Sequence, residues 1–170
     1  FCMHQGVLIR MLYADKLSPK GKEQLDELLR LGVEGVKRRG VKPGYTNIFL
    51  MHVWNLIALG ETTGRAELAQ EGGQAFDDWL RYTWKNGVSE YLSPTYYGVD
   101  LDCLGLIARH VKNEQVRKNA EAALRLFWTD IAANWYEPGQ RLGGAHSRDY
   151  DYLTGHGYLD KHLRAAGFMS

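Results

Sequence analysis

The sequence predicts an all-α protein in which antiparallel helical hairpins form two layers, arranged as a partial (α/α) toroid. Apolar residues follow helical spacing through most of the chain, and no segment shows the apolar–polar alternation of a strand. Amphipathic helices also alternate along the chain with helices that are apolar on all sides. The two apolar helices begin about fifty residues apart, which indicates a repeating hairpin. Stacked helical repeats of the HEAT kind have a similar period and are the alternative architecture.

The composition sets the size of the protein and excludes some partners. The length of 170 residues and a hydrophobic content of 45% predict one folded domain over residues 1–170, complete or as a fragment of a longer chain. Lys and Arg number 21 and Asp and Glu 20, so there is no electrostatic case for nucleic acid. No apolar run is long enough to cross a membrane. Cys2 and Cys103 form no disulfide framework and lack metal-site spacing, and we expect no cofactor and no metal.

The first part of the chain predicts an amphipathic helix followed by a buried one. Ser18 and Pro19 begin the amphipathic helix as its N-cap and first helical residue, and it ends near Gly40. After a turn at Pro43–Gly44, residues 46–59 leave almost no polar face, so we expect this helix to be buried on all sides.

The rest of the chain repeats this pattern. Residues 66–85 form an amphipathic helix, and Ser93–Pro94 begins a largely apolar helix over residues 95–109. Asn113 caps another amphipathic helix, whose apolar stripe reaches Trp135 and which ends at Pro138–Gly139.

Two concentric layers explain this order, with the apolar helices inside and the amphipathic helices outside. We therefore expect Trp54 and Leu104 to be buried between the layers. The residues expected to face solvent are Lys22, Glu71 and Lys118.

The loops before the inner helices are expected to gather at one end of the molecule, because the inner helices of antiparallel hairpins begin at the same end. These loops cover residues 42–47, 89–97 and 143–152, and all are rich in Tyr and hydrogen-bonding side chains. The third loop carries an imidazole, a guanidinium, carboxylates and phenols between glycines, so it can lie close to a ligand with acid–base groups at hand. Helix N-termini that point at a shared cleft favour an anionic ligand.

One stretch carries a resemblance to known enzymes. Residues 87–97, Gly-Val-Ser-Glu-Tyr-Leu-Ser-Pro-Thr-Tyr-Tyr, are followed by an apolar helix and then by Asn-Glu-Gln-Val-Arg at residues 113–117. This part of the chain resembles the Glu and Ser-Pro-x-Tyr region of heparinase-like and chondroitin-AC-like polysaccharide lyases and of six-hairpin glycosidases. The resemblance implies an (α/α) toroid, a periplasmic or secreted location and an acidic oligo- or polysaccharide as partner.

The resemblance also implies roles for individual residues in the β-elimination of a uronate-containing glycan. A Tyr or His removes a proton, an amide such as that of Asn47 neutralises the uronic carboxylate, and an Arg holds it. The candidates for proton transfer are His146, Tyr96, Tyr97 and Tyr150. The candidates for substrate binding are Arg148, Asn47, Glu90, Asp149 and Tyr45. A complete toroid needs a longer chain, so a further domain or a second protomer would complete it.

Two points stay open at the level of the sequence. Of the neighbours Tyr96 and Tyr97, one is expected in the core and the other at the rim, but the sequence does not decide which. The function has two alternatives to a lyase. A glycoside hydrolase on the same scaffold would use Glu90 with Asp100 or Asp149, and a non-catalytic helical-repeat domain would present an apolar concave surface to a protein or glycan.

Overall fold

The computed structural model describes residues 2–150 and 154–170 and shows an all-α protein. Residues 151 and 152 of the third predicted loop lie outside these ranges. The helices of the described chain are α1 (Cys2–Tyr13), α2 (Pro19–Arg38), α3 (Thr46–Thr63), α4 (Ala66–Asn86), α5 (Tyr96–His110), α6 (Glu114–Ala133) and α7 (Asp160–Ala165). Strands β1 (Trp135–Tyr136) and β2 (Arg141–Leu142) form a short antiparallel hairpin. None of the helices in the described ranges has the length and apolar character needed to cross a membrane.

Local sequence sets where several helices begin and end. The Oγ atom of Ser18 accepts a hydrogen bond from the backbone N–H of Gly21 at 3.1 Å, and Pro19 follows as the first helical residue. Asn113 caps α6 in the same way through the N–H of Val116 at 3.1 Å. Both predicted N-caps are therefore confirmed. Helix α3 ends at Gly64, whose φ of 72° is the left-handed conformation that glycine adopts most readily.

Helices α1 and α2, α3 and α4, and α5 and α6 pack against one another as consecutive pairs. Within the second pair the chains run in opposite directions, because Gly60 lies against Ala69 while Gly72 lies against Ile57. A Cβ atom at Gly72 would come within 2.6 Å of Cγ1 of Ile57 and 2.9 Å of its backbone N. The glycines thus let the two helix backbones approach closely.

The inner layer contains α3 and α5, the two helices with the most buried residues, and they pack against each other. The helices α3 and α5 run parallel. Asn47 at the start of α3 bonds to Glu90 just before α5, and at the other end Glu61 accepts a hydrogen bond from the N–H of Lys112 at 2.8 Å. This arrangement agrees with the two predicted layers, while their closure into a toroid stays a prediction.

Burial follows the predicted inside and outside positions. Trp54 and Leu104 are fully buried in one hydrophobic core, as predicted. Lys22, Glu71 and Lys118 are exposed, which confirms that the amphipathic helices turn their charged faces to solvent.

Three elements differ from the sequence prediction. Helix α1 lacks a strong amphipathic pattern and is held by tertiary packing, with Gly6 placed against Leu29 of α2. Helix α6 ends at Ala133, because the chain then turns into the β1–β2 hairpin, where Gln140 has a left-handed φ of 48°. Helix α7 has only six residues and depends on contacts with α5.

Polar contacts hold the C-terminal segment on α5. The carboxylate of Asp102 accepts hydrogen bonds from the hydroxyl of Tyr158 at 2.9 Å and from Nζ of Lys161 at 2.7 Å, and His162 Nε2 lies 3.2 Å away. Burial raises the pKa of Asp102, but the hydrogen bonds from His162, Lys161 and Tyr158 outweigh burial and lower it overall. The carboxylate therefore stays ionised and fixes α7 against the inner layer.

Candidate functional site

The loops before α3 and α5 and the loop that follows β2 meet at one end of the molecule. The backbone N–H of Ser147 donates to the carbonyl of Tyr91 at 3.0 Å, and the hydroxyl of Ser93 donates to the carbonyl of Arg148 at 3.2 Å. Asn47 donates through its backbone N–H and its side-chain amide to Oε2 of Glu90, at 3.2 and 2.7 Å. The predicted meeting of these loops is thus confirmed for the described residues.

Ser93 is the residue that joins two of these loops. It is fully buried, and its Oγ atom accepts a hydrogen bond from the N–H of Tyr96 at 3.0 Å while donating to Arg148. The sequence marked Ser93–Pro94 only as a helix start, which accounts for the bond from Tyr96, and no local signal indicated the bond to Arg148.

Two non-glycine residues have left-handed backbone conformations where these loops meet. The φ angles are 49° at Leu92 and 57° at Arg148. Such conformations are costly for residues with a Cβ atom and persist where surrounding contacts enforce them, often at ligand sites. The hydrogen bonds of Ser93, next to Leu92, and of Ser147, next to Arg148, hold the two conformations in place.

Four side chains form the surface that we call the rim cluster: Tyr45, Tyr96, Arg148 and Tyr150. The hydroxyls of Tyr96 and Tyr150 lie 3.0 Å apart, and their rings meet edge to face with centroids 5.7 Å apart. Nη1 of Arg148 donates to the hydroxyl of Tyr150 at 3.4 Å. Tyr45, Arg148 and Tyr150 are exposed, so this cluster faces solvent.

The hydroxyls of Tyr96 and Tyr150 differ in acidity. The hydrogen bond from Tyr96, followed by the one from Arg148, lowers the pKa of Tyr150. The same bond to Tyr150, together with burial, raises the pKa of Tyr96 to about 12. Tyr96 therefore keeps its proton and donates it to the shared bond, while Tyr150 is the phenol that ionises first. An exposed phenolate beside a guanidinium is a candidate general base.

Tyr97 lies away from the rim cluster. It is buried between α5 and α6, where its hydroxyl donates to Oδ2 of Asp130 at 2.6 Å and its ring contacts Phe127. Burial and then the bond to Asp130 raise the pKa of Tyr97. Of the two adjacent tyrosines, Tyr97 is therefore the core residue and Tyr96 the rim residue.

His146 and Asp149 form a separate pair behind the rim surface. Nδ1 of His146 lies 3.0 Å from Oδ2 of Asp149, which also accepts a hydrogen bond from the N–H of Gly155 at 3.3 Å. The two side chains are 9% and 1% exposed. Because the carboxylate accepts, Nδ1 carries the proton, and Nε2 has no hydrogen-bond partner among the described residues. Within the ranges that the structure describes, no hydrogen bond joins His146 to the rim cluster.

Glu90 and Asp100 lie close together beneath the rim and are only 4% and 0% exposed. Burial and then the charge of Glu90 raise the pKa of Asp100 well above its ordinary value. Oε1 of Glu90 and both side-chain oxygens of Asp100 have no hydrogen-bond partner within the described ranges. Asn47 is buried with them through its bonds to Glu90.

These positions separate the predicted site residues into two sets. Tyr45, Tyr96, Arg148 and Tyr150 share an accessible surface. The protein encloses the side chains of His146 and Asp149 and the residues Asn47, Glu90 and Tyr97. Over residues 2–150 and 154–170, no group of three or more His, Cys, Asp or Glu side chains is arranged to hold a metal ion.

The family described as "Domain of unknown function (DUF8769)" matches residues 1–158, and the chain therefore belongs to this family. The matched range includes α1 to α6 and every residue of the rim cluster. Searches of curated proteins and of solved structures returned no match.

Proposed function

We propose that this protein is carbohydrate-active and cleaves a uronate-containing glycan by β-elimination. The observation that carries the proposal is the position of Tyr150, an exposed phenol with a lowered pKa between the hydroxyl of Tyr96 and the guanidinium of Arg148. Elimination next to a uronic carboxylate needs a base for the proton on the adjacent carbon and a cation for the carboxylate. Tyr150 and Arg148 supply these two groups side by side.

The proposed reaction uses the acidity difference within the rim cluster. The phenolate of Tyr150 takes the proton from the carbon that bears the carboxylate, and the freed electron pair forms a carbon–carbon double bond as the glycosidic C–O bond breaks. The departing oxygen takes a proton from the hydroxyl of Tyr96, which has kept it. Arg148 binds the carboxylate, where negative charge increases during proton removal, and its planar fork suits both carboxylate oxygens.

Accessibility favours elimination over hydrolysis. A glycoside hydrolase needs two carboxyl groups that reach opposite sides of the glycosidic bond. Of the carboxyl groups predicted for such a reaction, those of Glu90 and Asp100 are enclosed by the protein, and that of Asp149 is bonded to His146. The open rim also fits a toroid that further hairpins or a second protomer would complete, with the rim cluster on one wall of the cleft.

The test is to incubate the full-length protein with a panel of uronate polysaccharides and to follow absorbance in the near ultraviolet. Elimination creates a conjugated double bond that absorbs there, whereas hydrolysis releases reducing ends without it. We expect Tyr150→Phe to lower the rate about a hundredfold or more, because it removes the general base. The matched control is Tyr13→Phe, which alters a similarly exposed tyrosine on α1 and should keep full activity.

Three results would contradict the proposal. New reducing ends without the absorbance would indicate a hydrolase. The absence of both signals on every glycan would indicate a non-catalytic binding domain. Full activity in Tyr150→Phe would remove Tyr150 from the mechanism.

A further inference from the structure

A cavity of about 670 Å³ lies between the outer helices α4 and α6, apart from the rim cluster. Its buried wall is aromatic, formed by Trp79 of α4, Tyr97 of α5 and Phe127 of α6, each only 1% exposed. Two further aromatic residues stand at its opening. Trp84 is 93% exposed and Tyr91 is 50% exposed. A volume in the range of roughly 300–1,000 Å³ with a largely apolar lining is typical of small-molecule sites.

Asp130 is the single charged residue among those that line the cavity in the described chain. Its Oδ2 atom accepts the hydrogen bond from Tyr97 at 2.6 Å, and its Oδ1 atom accepts one from the amide of Asn134 at 3.2 Å. Both donors are neutral. Over the described ranges Asp130 forms no ion pair with a Lys, Arg or His, so its negative charge has no direct counter-charge.

Asp130 is partly exposed, so a ligand that fills the cavity would remove water from its carboxylate. Burial of a charge is costly unless an opposite charge joins it. A ligand with a positive charge would compensate Asp130, whereas an anion would be repelled and a neutral apolar ligand would remove water from Asp130 without compensation. The aromatic faces at the opening add to this preference, because an organic cation is attracted to the faces of Trp and Tyr rings. The exposure of Trp84 leaves its indole free to cover such a ligand.

We propose that the cavity between α4 and α6 binds an organic cation with an apolar body, of the quaternary ammonium class. The apolar body would contact Trp79 and Phe127, and the cationic head would lie near Asp130 under Trp84 and Tyr91. This site does not depend on the proposed elimination reaction, since Asp130 and Trp84 take no part in the rim cluster. Binding at this site and cleavage of a glycan therefore succeed or fail separately.

The probe for the test is phenyltrimethylammonium, with uncharged tert-butylbenzene of the same shape and anionic benzoate as comparisons. Isothermal titration calorimetry should show saturable binding of the cation and at least about tenfold weaker binding of both comparisons, a difference of about 1.4 kcal/mol. Equal affinity for the cation and its neutral counterpart would overturn the charge argument. No binding of the cation at millimolar concentration would overturn the site.

Variants locate the binding site. Asp130→Asn keeps an oxygen for the Tyr97 hydroxyl but loses the charge, so the affinity for the cation should fall about tenfold or more. Glu121→Gln removes an exposed carboxylate from the same helix outside the cavity and should leave the affinity unchanged. Trp84→Ala alters only an exposed side chain, so it should fold normally and bind the cation more weakly. Unchanged affinity in both Asp130→Asn and Trp84→Ala would overturn the proposal.

Discussion

At the scale of the residue, the surroundings of a side chain decide its chemistry more than its type does. Tyr96, Tyr97 and Tyr150 are all phenols, but only Tyr150 has a lowered pKa, because it accepts hydrogen bonds from both Tyr96 and Arg148. Tyr97 lies in the core beside a carboxylate, which disfavours a second negative charge. The order of ionisation at the rim follows from these contacts.

Replacing Arg148 is expected to change the pH dependence of the proposed glycan cleavage. A general base acts only when deprotonated, so the rate should rise with pH through the pKa of Tyr150. Arg148→Ala removes one of the hydrogen bonds that lower the pKa of Tyr150, so this pKa should rise. The rising limb of kcat/KM against pH should therefore move to higher pH. Arg148→Lys keeps the charge, so the limb should move less, while KM should increase because the planar fork is lost.

Initial rates of the wild type and both variants, measured across pH, check this expectation. A limb at the same pH in Arg148→Ala would show that Arg148 does not influence Tyr150. An unchanged KM in Arg148→Lys would show that the fork does not hold the substrate.

At the scale of the element, glycines determine how closely helices approach. Gly60 and Gly72 bring the backbones of α3 and α4 together, and Gly98 brings α5 against the backbone of Tyr158. Each of these positions leaves no room for a Cβ atom without a shift of the neighbouring helix or segment. A helical glycine is ordinarily destabilising, so its presence at these contacts reflects packing between elements.

The adjacent glycines of α4 provide a matched test of this packing. Gly72→Ala would place a Cβ atom 2.9 Å from the backbone N of Ile57, so we expect a loss of about 1–3 kcal/mol in the free energy of unfolding. At Gly73 a Cβ atom would find its nearest neighbour at 3.8 Å, and Gly73→Ala should stabilise the protein by up to about 1 kcal/mol through helix propensity. Urea unfolding measures both changes, and equal effects would refute the close contact.

At the scale of the whole molecule, the layers of helices position the rim. The inner helices α3 and α5 run parallel, so the loops before them emerge at one end, and the segment that carries Arg148 and Tyr150 joins them there. The outer helices α4 and α6 leave the aromatic cavity between them. One fold therefore presents a polar surface at its rim and an apolar site on its outer face.

Two tryptophans test the assignment of inside and outside. Trp54 is fully buried in α3, and Trp54→Ala should lower the free energy of unfolding by about 3–5 kcal/mol, as for other large core truncations. Trp84 is 93% exposed in α4, and Trp84→Ala should change the free energy of unfolding by no more than about 0.5 kcal/mol. Thermal and urea unfolding of both variants measure the difference. A Trp54→Ala protein as stable as the wild type would refute the layer assignment.

Much of the fold could be predicted because the relevant signals are local in sequence. Apolar spacing identified α2 to α6, Ser18 and Asn113 marked two helix starts, and the all-apolar run of α3 indicated its burial. These features depend on residues within a few turns of each other. Helices α1 and α7 lacked such signals, since packing against α2 and α5 stabilises them.

The sequence by itself determined the order of α2 to α6, the two layers and the end of the molecule at which the loops meet. Only the tertiary structure decided which groups reach solvent there. It put Tyr150 on the surface beside Tyr96, turned His146 inward to Asp149, and enclosed Glu90 with Asp100. The physical reason is that solvent exposure and pKa depend on atoms brought together from distant parts of the chain, such as Tyr96 and Tyr150, whereas helical periodicity records only neighbours along it.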